Sequence, residues 1–298
     1  MRRLNEKSVA SYRSIWTRWL KYVGEQGVTW QDATWNNVLS FLGEMKPRAV
    51  TDDRPSTVSQ RRYARVMSDV YTHAKVCELI RVNPVRLDDP LVPPSEDAES
   101  IYFRGDQYDA LVQNLPDALN WQAIRNRAIL ACFLLDALSA SEVVALTVDD
   151  VIRSNGDGAR KVEQSRVAHA HVRGTDHRSA QARKVRLAWK TTSALAQWIR
   201  VREKVAEGKG KILFVSERGE RTLTPKALND ICKEHVARSL ASLGTLDIRW
   251  THAGPTSLRN SCMLRWLEDG WPPKDVATRA GLSRASQLDR LLRSTLFA

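Results

Sequence analysis

Arg259 stands where a cation gains least from its own helix. The stretch 251–270 reads as a helix with both ends marked: Thr256 or Ser257 to cap the first turn, Leu258, Cys262 and Trp266 at four-residue spacing, and Gly270 ahead of Pro272 and Pro273 as a stop. That pattern puts Arg259 in the first turn, off the apolar stripe and against the positive end of the helix dipole. An anion supplied from outside would resolve the conflict, and the candidate anion is a phosphate. A second cationic group is Arg61, Arg62 and Arg65, three arginines within five residues on one face of a helical segment; DNA-backbone contact is the reading that suits the charge of the whole chain. His169, His171 and His177 invite a metal reading. A period of two merely places His169 and His171 on one strand face, and no nearby Cys or carboxylate completes a ligand set, so neither a metal nor another cofactor is expected. Cys77, Cys132, Cys232 and Cys262 are far apart within apolar patterns and are expected to be buried free thiols.

The charge balance narrows the partner. The 298 residues carry a formal net charge of +12, which favours a polyanion, because every neutralised phosphate releases counterion. The excess is uneven: residues 1–99 hold 15 Lys/Arg against 13 Asp/Glu, leaving 31 against 21 for residues 100–298. A nucleic acid is therefore the expected partner, and the second part of the chain carries most of the excess. The longest apolar runs, such as 128–135, are too short to span a bilayer, and the polar start Met1-Arg2-Arg3-Leu4-Asn5-Glu6-Lys7 has no apolar signal core. No membrane partner is expected; a cytoplasmic, nucleoid-associated location is.

These side chains need elements to hold them. Tyr12, Ile15, Trp16, Trp19, Leu20 and Val23 step by three and four and predict an amphipathic helix over 8–23. A second helix is predicted over about 35–45, a third from Ser56-Thr57, burying Val58, Tyr63, Val66, Met67 and Val70, and a short fourth one ending near Asn83-Pro84. Four prolines and an acidic run make 84–100 an extended linker. Beyond it helices are predicted over 105–115 and 121–138, then a short one capped by Ser141 and ending near Leu146. Alternation predicts a hairpin from 162–172 and 184–188, and a short strand over 212–215. Helices follow over 191–205, over 224–240 with Thr224 as cap and Pro225 at its first position, over 273–280 ending at Gly281, and over 284–296 capped by Ser283.

In this order the elements resemble the tyrosine recombinase (phage integrase) family over essentially the whole chain. Tyr12…Trp16…Trp19-Leu20 and Ser56-Thr57…Arg61-Arg62 are similar to its core-binding domain. Arg125-Asn126-Arg127, Ala137-Leu138-Ser139-Ala140-Ser141-Glu142, the Val172-Arg173…Arg183-Lys184 hairpin, Leu213-Phe214-Val215, Thr256-Ser257-Leu258-Arg259-Asn260 and Ala280-Gly281-Leu282 resemble its catalytic domain. The resemblance implies a mainly α chain: a helical, SAM-like core-binding domain at 1–84 that binds DNA, a linker at 85–100, and a mixed α+β catalytic-like domain at 101–298 with a small antiparallel sheet.

The family cleaves a phosphodiester with a tyrosine nucleophile, two arginines that neutralise the phosphorane, and a lysine and histidines that move protons. Most of that set is replaced here. Ser139 stands for the first arginine, with the acidic Glu142 kept. Arg173 stands for the hairpin lysine, unless Lys184 reaches in from the other arm. Thr256 and Asn260 replace two histidines around the retained Arg259, Leu282 replaces the third His or Trp, and Leu291 falls where the tyrosine belongs. The chain's six tyrosines are Tyr12, Tyr22, Tyr63, Tyr71, Tyr102 and Tyr108, so its last 190 residues hold none.

The expected protein is a sequence-specific duplex-binding chain on an inactive recombinase fold, gripping DNA between its two domains. It would regulate transcription or assist a mobile element; the alternative is an active, or trans-complemented, recombinase subunit. Arg61, Arg62, Arg65, Arg173, Arg183, Lys184, Arg186 and Arg259 are the expected phosphate contacts. The tail 276–292 also reads as a helix-turn-helix offering Arg284, Ser286, Gln287 and Arg290 to a major groove, or as a segment that docks on a neighbouring subunit. A homo-oligomer on DNA and an active recombinase partner are the protein partners foreseen.

Overall fold

The computed structural model describes residues 6–44, 57–92, 101–117, 119–152, 169–173, 182–206, 210–216, 222–241, 243–244, 250, 252–283, 285–289 and 291–292. The chain divides into two units, residues 1–100 and 101–298, and no described helix is long and apolar enough to cross a membrane.

In the first unit α1 (Glu6–Glu25), α2 (Trp35–Gly43) and α3 (Thr57–Val76) close on one core. Ile15, Trp19 and Val23 of α1 meet Val38, Phe41 and Leu42 of α2 and Ala64, Met67 and Tyr71 of α3. A buried indole and phenol need partners. Trp19 Nε1 donates to Tyr71 Oη at 2.8 Å, and that hydroxyl donates to the Trp30 carbonyl at 2.7 Å; burial pushes the Tyr71 phenol up to about 12.

The expected fourth helix is not there: residues 77–92 run as turns after α3. Asn83 explains it. Its Nδ2 donates to the Ser68 carbonyl and to Thr72 Oγ1, and its Oδ1 accepts from the Val85 amide at 2.9 Å, so side-chain bonds replace helical ones. Val85 and Val92 are buried in the first core, Trp35 Nε1 donates to Asp89 at 2.9 Å, and residues 85–92 thus pack on this unit instead of running free as a linker. Cys77, expected inside, lies exposed past the end of α3.

The second unit is built on α5 (Trp121–Asp136), which is buried on nearly every side. α8 (Trp189–Val205) lays Ala194, Leu195, Trp198 and Ile199 in the same core, and α4 (Gly105–Gln113), α9 (Pro225–Ala241) and α10 (Pro255–Glu268) close around it. α6 (Ala140–Ala145) and α7 (Val148–Ile152) follow α5. The cap of α6 is Ser139, not Ser141: Ser139 Oγ accepts from the Glu142 amide, and the Glu142 carboxylate accepts from the Ser139 amide at 2.7 Å. One antiparallel hairpin, β1 (His169–Val172) with β2 (Arg183–Arg186), is the only sheet among the described residues.

The segment 212–215 makes isolated bridges to Thr147 and Thr222 and no sheet strand. Side chains take carbonyls that a paired strand would have used: Trp198 bonds Leu213, Arg202 bonds Ile212, and Arg125 bonds Val215. Pro225 opens α9 with Thr224 Oγ1 accepting from the Ala227 amide, as the sequence predicts. His235 of α9 is buried; its Nε2 lies 2.9 Å from the Leu111 carbonyl and desolvation lowers the imidazole to about 4.

Candidate nucleic-acid interface

Arg259 meets a backbone carbonyl instead of the external anion its position suggested. Gly254 caps α10, Pro255 opens it, and the Gly254 amide donates to Ser257 Oγ at 3.3 Å, while Thr256 is exposed. Neither Thr256 nor Ser257 is therefore the cap. From the second turn Arg259 reaches across to α11 (Pro273–Ala280), and its Nη2 donates to the Ala280 carbonyl at 2.6 Å. The misfit with one helix's positive end is answered by another helix's negative end. Burial lowers the guanidinium's pKa from its ordinary value; Glu142 opposes that shift and Arg183 adds to it. Its buried Nε has no partner among the described residues.

Arg183, from β2, arrives at the same turn. Its Nε donates to the Arg279 carbonyl at 2.9 Å and its Nη1 and Nη2 face the two carboxylate oxygens of the fully buried Glu142. The guanidinium lies directly on Gly281, where φ is +71° and an added Cβ would fall 2.2 Å from Nη1. Glycine is required there twice, by the left-handed cap and by the arginine. The ion pair is 11% exposed on the arginine side. Arg183, foreseen as an open phosphate contact, is engaged inward.

Arg279 and Asp136 were not foreseen. Arg279 lies 4.9 Å from the ring centre of Trp266 and 5.6 Å from that of Trp271, donating to the Arg186 carbonyl at 2.9 Å and facing Asp136 Oδ1 at 3.4 Å. Burial pushes the Asp136 carboxyl up, against the hydrogen bonds from Thr191 and the Ala188 amide and the charge of Arg279. A lone carboxylate in the otherwise apolar stretch 128–138 was the available signal. Three arginines thus fasten the end of α11, β2 and α6 together. Ser139, expected at the place of an arginine, is a helix cap. Leu282 packs on the cluster of Ala137, Cys262, Met263, Trp266 and Val276, and Leu291 is buried in it at 3% exposure.

The hairpin's other face is different. The register pairs His169 with Arg186 and His171 with Lys184, and Lys184, Arg186 and His171 are exposed while Ala170, Val172 and Val185 are buried. Arg173, just past β1, is exposed and donates to Asp150 at 3.1–3.2 Å. Burial alone raises the Asp150 carboxyl, but hydrogen bonds from Thr147 and Arg173 overrule it and leave it below its ordinary value. In the first unit Arg61 is tied to the Leu87 carbonyl, whereas Arg62 and Arg65 are exposed on α3, Arg62 within 3.0 Å of Ser11 Oγ. Arg284 and Arg290 lie outside the described residues, as does His177; Gln287 belongs to a 3-10 turn over Ala285–Leu288.

A helical unit followed by a mostly helical one that carries, among its described residues, a single antiparallel hairpin matches the fold of solved tyrosine recombinases. Residues 102–293 match the model of the Phage integrase family, and the chain belongs to that family. It is 26% identical over 286 residues to tyrosine recombinase XerC of Roseiflexus castenholzii (strain DSM 13941 / HLO8), covering 94% of this chain and 81% of that one. Among solved structures it is similar to the XerH site-specific recombinase bound to its difH substrate, with a TM-score of 0.70 at 12% identity over 96% of this chain and 76% of that one. The Tn1549 transposon integrase in complex with circular intermediate DNA gives 0.66 at 16% identity over 98% and 94%. A lambda integrase dimer bound to a core site gives 0.62 at 13% over 96% and 72%.

Proposed function

We propose that the chain is a sequence-specific double-stranded DNA-binding protein that holds duplexes on a recombinase scaffold without cutting them, serving as a transcriptional regulator or as the accessory factor of a mobile element. One observation carries the reading: no tyrosine follows Tyr108, and Leu291, which the resemblance puts at the nucleophile's place, is buried in an apolar cluster. An alkyl side chain cannot attack phosphorus. The charge set is reduced as well, since Ser139 caps a helix and Arg183 is neutralised by Glu142. Lys184, Arg186 and Arg173 in the second unit, and Arg62 and Arg65 in the first, are the side chains placed to meet backbone phosphates. Relatives solved on DNA support the partner, and a relative solved as a dimer supports an oligomer on it.

A nicked duplex that traps covalent intermediates tests this. The expected result is a salt-sensitive complex that dissociates fully in detergent; a covalent adduct sinks the reading. A second reading, an active or trans-complemented recombinase subunit, draws on the likeness to XerC across 94% of the chain. Adduct formation only after addition of an active recombinase would favour it.

A further inference from the structure

The outer face of the hairpin carries more than fixed charge. Cross-strand pairing sets His169 opposite Arg186 and His171 opposite Lys184, so one face holds two rows, each with one imidazole and one permanent cation. Side chains paired across an antiparallel ladder stand about 5 Å apart, and rows two residues apart along the strand about 7 Å. Each row is thus a two-pronged phosphate contact with one prong always charged and the other charged only when its ring takes a proton. The opposite face is closed by Ala170, Val172 and Val185.

We propose that this four-residue face is a proton-linked phosphate contact, which tightens the chain's hold on duplex DNA as the pH falls through the histidine range. The inference rests on the reading of the chain as a DNA-binding protein and adds regulation to it. The charged neighbours come from β2 and from α7, the helix that packs against β1. From β2 come Lys184 and Arg186, both exposed. From α7 come Asp149 and Asp150, whose carboxylates are engaged by Lys211 Nζ at 2.7 Å and by Arg173. Desolvation first, and then Lys184, Arg186 and His171, hold the His169 imidazole below its usual range before DNA is bound. Phosphates brought onto the face reverse that field, so binding and proton uptake favour each other.

The test uses the full chain and a short labelled duplex at fixed ionic strength. Affinity for the duplex is expected to rise about tenfold between about pH 7.5 and about pH 5.5, with net proton uptake on binding measured calorimetrically in buffers of different ionisation enthalpy. His169→Gln with His171→Gln should lose both the rise and the uptake, although His73 and His252 remain exposed. A wild-type affinity that ignores pH, or an uptake that survives in the double variant, overturns the proton link and leaves DNA binding standing. A chain that ignores duplex at every pH overturns both.

Discussion

Arg183 and Lys184 are neighbours on one strand and meet opposite fates. Arg183 points inward to a buried carboxylate and to the Arg279 carbonyl near the end of α11, while Lys184 and Arg186 point outward beside two histidines. The inner set, with Arg259 and Arg279, ties elements together. The outer set faces solvent. A charge kept at a position is therefore not a charge kept for the same use; what decides is whether the interior supplies a counter-charge.

That contrast can be broken experimentally, and the inner set should give the largest effects on stability. Glu142→Gln leaves Arg183 with no carboxylate in a nearly closed site, and should cost about 3 kcal/mol in a urea titration; adding Arg183→Met should recover much of it. An unchanged midpoint in the single variant would mean the pair contributes nothing. The buried His235 supplies a comparison with the half-buried His169 and the exposed His171. Its folded pKa of about 4 lies below the unfolded value of about 6.5, so the unfolded state binds the proton first. Stability is full above about pH 6.5 and should fall by about 3 kcal/mol as the pH drops towards about 4. His235→Gln should remove that component, read as the difference between the two stability profiles.

Gly281→Ala combines a left-handed backbone with a methyl inside the Arg183 guanidinium and should cost about 2 kcal/mol, lowering the melting temperature. Arg259→Ala frees the Ala280 carbonyl and should cost about 1 to 2 kcal/mol, with duplex affinity of the folded protein nearly unchanged. A large loss of affinity without loss of stability would restore Arg259 as a phosphate contact. Lys184→Ala with Arg186→Ala should do the reverse: melting unchanged, duplex affinity down about tenfold, and the logarithmic salt slope shallower by about 1.8.

Much of the scaffold was legible in the chain. Thr224-Pro225 marks a helix start and Gly281 a helix end because capping is decided by neighbours within four residues. Alternation around His169 and His171 marks a strand for the same local reason. The expected cap at Ser141 and the short helix near Asn83 went otherwise because serines at 139 and 141 compete for one turn, and because an asparagine side chain bonded residues on α3. The site was less legible: Glu142 and Arg183 are 41 residues apart, Arg183 and the Arg279 carbonyl 96.

What the amino-acid order determined alone is the family scaffold, its periodic faces and the lack of any phenol beyond Tyr108, since composition and short-range spacing need no folded context. Only the tertiary structure decided which arginines look inward. Periodicity assigns a side chain to a face, but the carboxylate or helix end that meets it comes from distant sequence, and burial makes that meeting obligatory for a charge.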